Sequence, residues 1–133
     1  MADIELNYSI EVGLGRKNKG SRMTRYEVTE GINRIESVEA QLNISLEGIF
    51  AVMEGPDDDG DFSIELNYEV VSTGEGLSSD VEMTFVAYAE NGQVLGQDNA
   101  WISLENFIGI EPIRQRLYCK KEPNRFRLYP RPN

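Results

Sequence analysis

The chain has 133 residues, 40% of them hydrophobic, and a net charge of −10, a length that suits one domain with one core. With no histidine and a single cysteine, Cys119, it cannot form an intramolecular disulfide, a thiolate metal cage, an imidazole ligand set or a Ser/His or Cys/His nucleophile pair. No apolar run reaches the roughly 18 residues of a spanning helix, and Met1 to Leu6 lack the basic and apolar stretches of a secretory signal, so a cytoplasmic protein without membrane association or cofactor is expected.

Strict alternation of apolar and polar residues marks a strand with one face on a core. It appears first at Ile4, Leu6, Tyr8, Ile10 and Val12. A basic, glycine-containing loop spans Gly13 to Ser21, and a strand is predicted over Met23 to Val28. Ile32, Ile35 and Val38 follow Thr29 at roughly helical spacing, so a short helix capped by Thr29 competes with strand there. Ala40, Leu42, Ile44 and Leu46 alternate again, with Gly48 to Met53 continuing as a bulged strand. The cluster Gly55-Pro56-Asp57-Asp58-Asp59-Gly60 reads as a turn. Phe62 to Val70 forms the next strand, and Gly74 to Ser79 the next loop. Val81 to Ala89 leads into Asn91-Gly92, a strong hairpin signal that returns Gln93 to Ser103 onto it. Ser103 to Ile110 has room for one helical turn, and Ile113 to Cys119 and Arg125 to Tyr129 close the chain as strands. Ile-Glu-Leu-Asn-Tyr occurs at both Ile4 to Tyr8 and Ile64 to Tyr68, an agreement that two half-buried strands reach by chance more readily than by duplication. Many short strands with frequent turns predict an all-β antiparallel sandwich of the immunoglobulin or fibronectin-III type over residues 1–133.

Charge is unevenly spread. From Ile35 to Ile110 there are 16 acidic residues and no Lys or Arg, whereas Glu111 to Asn133 holds seven basic residues against two acidic ones. A second basic group, Arg16, Lys17, Lys19, Arg22 and Arg25, lies near the start. With a period of two, Arg114, Arg116, Tyr118 and Lys120 share one strand face opposite Ile113, Gln115, Leu117 and Cys119, and Arg125, Arg127 and Tyr129 repeat the pattern. Such residues suit a partner-binding stripe, and single-stranded nucleic acid is one occupant that basic and aromatic side chains grip. Pairing with acidic neighbours across the sheet is the better account. A body at −10 repels polyanions, which disfavours nucleic acid and favours a basic protein partner.

Asp57, Asp58, Asp59 and Asp61 around Gly60 resemble a hard-cation loop, with Asp57, Asp59 and Asp61 the candidate metal ligands. The register is not that of an EF-hand, because Gly55 and Leu66 fall where two carboxylates are needed. No acid pair among the 23 carboxylates is singled out for catalysis. Cys119 falls on the inward side of its strand and reads as core rather than as a reactive thiol. Trp101, the single tryptophan, is expected to be packed or partly packed rather than a binding anchor.

Val81-Glu-Met-Thr-Phe-Val-Ala-Tyr-Ala-Glu-Asn-Gly-Gln-Val-Leu-Gly96 resembles the central hairpin of bacterial FxLYD and fibronectin-III-like modules, over about fifty residues toward the C-terminus. The resemblance implies a small β-sandwich that binds or spaces rather than catalyses. Those modules are usually exported, and this chain departs from them in lacking a signal stretch; the matching positions make structure, so no functional residue carries over. The expectation is a non-catalytic binding or accessory protein that recognises a protein partner through a charged sheet face or edge. A small-ligand or Ca²⁺ module on the sandwich loops is the alternative, and uncovered edges are compatible with a homodimer.

Overall fold

In the computed structural model, residues 23–133 are described. The strand predicted at Ile4 to Val12, its pentapeptide and the basic loop at Gly13 to Ser21 lie outside the described residues. The elements in chain order are β1 (Thr24–Glu27), a single 3-10 turn (Thr29–Gly31), β2 (Ile32–Arg34), α1 (Glu36–Gln41), β3 (Ile44–Gly55), β4 (Phe62–Ser72), β5 (Val81–Tyr88), β6 (Val94–Ile102), β7 (Ile110–Cys119) and β8 (Arg125–Pro132).

The strands form two four-stranded sheets. Sheet I has the order β1-β3-β4-β7 and sheet II the order β2-β8-β5-β6. Sheet I is antiparallel throughout; in sheet II the short β2 runs parallel to β8. Alternation supplies the reason for the packing. Ile64, Leu66, Tyr68 and Val70 of β4 and Ile113, Leu117 and Cys119 of β7 point inward from sheet I; Val81, Met83, Phe85 and Ala87 of β5 and Phe126 and Leu128 of β8 meet them from sheet II. The fold is therefore the all-β sandwich that the sequence predicts. No helix among the described residues is long and apolar enough to cross a membrane.

Between Thr29 and Gln41 the sequence expectation needs correction. Thr29 caps no α-helix, because its Oγ1 accepts the backbone N–H of Ala51 at 2.9 Å and ties the 3-10 turn to β3. The helix starts later, at Glu36, and it takes up Ala40, which the alternation assigned to a strand. An Arg34 guanidinium donates to both oxygens of the Glu39 carboxylate, at 3.1 and 2.6 Å, and this pair pins α1 against the body. Asn43, with φ 60°, separates the helix from β3 and donates to the Gly76 carbonyl.

The bulge in β3 is present. Glu47 opposes Glu69 and Phe50 opposes Asn67, so Gly48 and Ile49 together face Tyr68, with Gly48 at φ 63°. The hairpin through Asn91-Gly92 pairs β5 with β6 as expected, closed by Gly92 N–H to Ala89 O at 2.9 Å. The residues after Ser103 make one turn, closed by Asn106 N–H to Ser103 O at 3.1 Å.

Candidate functional site

Outward side chains of sheet I form transverse rows set by the register. Arg25, Glu54, Ser63 and Tyr118 make one row, Glu27, Val52, Glu65 and Arg116 the next, then Phe50, Asn67 and Arg114, then Glu47, Glu69 and Pro112. Among the described residues of these rows the acidic side chains outnumber the basic ones, Glu27, Glu47, Glu54, Glu65 and Glu69 against Arg25, Arg114 and Arg116. Glu65 takes Arg114 at 3.2 Å and Arg116 at 3.5 Å, and Glu54 takes Arg25 at 2.8 Å. The basic residues predicted on β7 thus pair with acids of neighbouring strands, as expected for adjacent rows of opposite sign. These are exposed pairs of small worth. Glu47 and Glu69 face each other directly, and neither forms an ion pair with a described residue.

Two shallow concavities lie on this face. One of about 140 Å³ sits between Arg25, Glu54, Glu65, Arg116 and Tyr118, and a wider one of about 470 Å³ adjoins the bulge at Gly48, Asn67, Glu69, Pro112 and Arg114. Between and beside them Phe50 is 48% and Tyr118 67% exposed, large apolar side chains with little cover from the described residues.

The second predicted group lies elsewhere. Arg125, Arg127 and Tyr129 belong to β8 and face outward from sheet II, so the six residues Arg114, Arg116, Tyr118, Arg125, Arg127 and Tyr129 do not form one stripe but divide between opposite faces. The guanidinium groups of Arg125 and Arg127 both stack on the Tyr88 ring, at 4.7 and 5.4 Å from its centroid. The outward side chains Glu82, Thr84 and Val86 of β5 are buried. Glu82 is 8% exposed and accepts from Asn99, and the Thr84 hydroxyl is buried with no hydrogen-bond partner among the described residues.

Asp57, Asp59 and Asp61 come together as predicted, each offering a carboxylate oxygen within 4.8 Å of the others. The turn already uses them. Asp57 Oδ1 accepts the N–H groups of Asp59 and Asp61, both at 2.9 Å, and Asp61 takes the Lys120 ammonium at 3.3 Å. A hard cation fits this set by charge and donor type, in competition with Lys120.

Trp101 differs from the expectation. It lies opposite Glu82 on the outer side of the edge strand β6 and is 59% exposed. The signal was in the register, since Trp101 shares its parity with the polar Gln97 and Asn99 while Ala100 and Ile102 take the other side. Gln115 is the second residue whose role the sequence reading missed. It occupies an inward position of β7, 1% exposed, where its Oε1 accepts the Tyr68 hydroxyl at 2.6 Å and its Nε2 donates to the Met83 and Asp98 carbonyls at 3.1 Å. A polar residue inside the run Ile113, Leu117, Cys119 was the available sign. Cys119 is buried as predicted, and burial pushes its thiol up to about 11. Compared with known protein families, curated proteins and solved structures, the chain matches none.

Proposed function

We propose that this chain is a non-catalytic binding or accessory protein that receives a basic protein partner on the outer face of sheet I. The observation that carries the reading is the face itself, where, among the described residues, exposed Phe50 and Tyr118 stand among five glutamates and three arginines. Aromatic anchors within a charged surround are what a steered interface uses. Glu47 and Glu69 support the reading, because two like charges set directly opposite weaken a sheet and a cationic partner would relieve them. Strand order supports it too. β3-β4-β7 opposite β8-β5-β6 corresponds to strands A-B-E opposite F-C-C′ of immunoglobulin-type sandwiches, whose common use is recognition. The net charge of −10 and the stacked, occupied guanidinium groups on β8 argue against nucleic acid. The single buried thiol suits a cytoplasmic setting. Capture on the tagged chain from its native lysate tests the reading. A basic protein retained at low salt and released at moderate salt is expected, and an empty capture at both overturns it.

The convergence of Asp57, Asp59 and Asp61 favours a second reading, a Ca²⁺ site on the β3–β4 turn. A ligand that binds only the folded state raises its melting temperature. A melting temperature that is the same in Ca²⁺ and in chelator removes this reading.

A further inference from the structure

Among the described residues eight large hydrophobic side chains are exposed, and four of them, Trp101, Leu104, Ile108 and Ile110, fall within one stretch of ten residues. That stretch joins the edge strands β6 and β7. Trp101 faces outward from sheet II and Ile110 shares the outward parity of Arg114 on sheet I, so the four residues run as a ridge around the open side of the sandwich.

The ridge is held in place. Leu104 N–H donates to Asp80 Oδ1 at 2.8 Å, Gly109 at φ 103° turns its carbonyl to accept Ser72 N–H at 2.9 Å, and Phe107 packs against the core between them. With Phe107 filling the inward position, Ile108 points away and is 86% exposed. A large apolar side chain left in water forgoes the free energy of its burial. Four in one pinned segment define a surface for covering. Its rim is acidic. Asp80, Glu105 and Glu111 border it, and Arg131, in register with the buried Glu82, is the one cation beside them among the described residues.

We propose that this ridge is a second docking element, in which Trp101, Leu104, Ile108 and Ile110 seat in an apolar patch of a protein partner whose border carries lysine or arginine. It lies apart from Phe50 and Tyr118, and of its four residues Ile110 alone adjoins the sheet I face. The acidic rim, in a chain at −10, selects a cationic partner over a second copy of the chain and over an anionic bilayer.

Trp101 is the single tryptophan, so its emission reports on the ridge alone. The full-length chain is titrated with an amphipathic leucine–lysine peptide and, separately, with a lysine–serine peptide of equal length and charge. The free protein is expected to show the long-wavelength emission of a hydrated indole. The leucine–lysine peptide then shifts it to the blue, the lysine–serine peptide binds far more weakly, and Ile108→Ser with Leu104→Ser loses about ten- to hundredfold in affinity. Tyr118→Ser leaves this titration unchanged, which separates the ridge from the sheet I face. Blue emission in the free chain, equal binding of both peptides, or no effect of the ridge substitutions overturns the proposal. A shift that follows protein concentration or added neutral vesicles overturns it in favour of self-association or a bilayer surface.

Discussion

Gln115 shows how much one polar residue decides inside this sandwich. Its amide closes the Tyr68 hydroxyl and two backbone carbonyls of the opposite sheet at once. Gln115→Leu takes this partner from the buried Tyr68 hydroxyl and Met83 carbonyl and from the part-buried Asp98 carbonyl, and each buried group left unsatisfied costs about 1–3 kcal/mol. A loss of about 3 kcal/mol in urea denaturation is expected, with an unchanged midpoint contradicting the network. Thr84 is the opposite case, since its hydroxyl has no partner to lose. Thr84→Val keeps the shape, removes an unsatisfied group and is expected to stabilise by about 1 kcal/mol in the same measurement. Cys119 links the core to pH. The folded chain holds the thiol proton up to about pH 11, whereas the unfolded chain releases it near the ordinary 9.0. The raised folded value means that stability is intact below pH 9 and falls as pH rises from there toward 11. Tyr68, raised as well by burial and by Asp98, acts in the same direction. A melting temperature that is flat to about pH 9 and then declines, together with a thiol that reacts only on unfolding, is the expected result.

Among the elements, α1 has six residues, too few to stand without tertiary support, and no side-chain N-cap. Its support is Glu39, 2% exposed, gripped by Arg34 from β2. Arg34 is itself 29% exposed, so the pair is worth less than a fully buried one. Glu39→Ala is expected to destabilise by about 2 kcal/mol and to raise amide exchange first in residues 36–41. Exchange that stays at the wild-type level there would show that packing alone holds the helix. The strands were far more legible in the sequence than this segment. Period-two alternation over β4 and β7 identifies both face and core because each strand has one wet side. Around Thr29 to Gln41 a 3-10 turn, a three-residue strand and a one-and-a-half-turn helix are each shorter than a period can be read over, and the long-range bond from Ala51 together with the Arg34–Glu39 pair within the segment chooses among them.

For the whole molecule, the sequence reveals the sign of each segment but not which sheet carries it. Arg114 and Arg127 have the same local pattern, yet the crossing between β7 and β8 puts them on opposite outer faces, and no local rule reports that crossing. The same limit hid the row of Glu47 and Glu69, which are 22 positions apart in sequence and adjacent only because the β3 bulge sets that register. Glu69→Lys turns a repulsive pair into an attractive one and is expected to raise stability by about 0.5 kcal/mol.

The most direct measurement is parallel capture from native lysate on the wild-type chain and on the Glu47→Lys, Glu69→Lys double variant, each shown by its melting curve to be folded. A basic protein is expected on the wild type at low salt and is expected to be lost from the variant. Recovery of the same protein in equal amount on both would contradict the assignment of sheet I as the binding face.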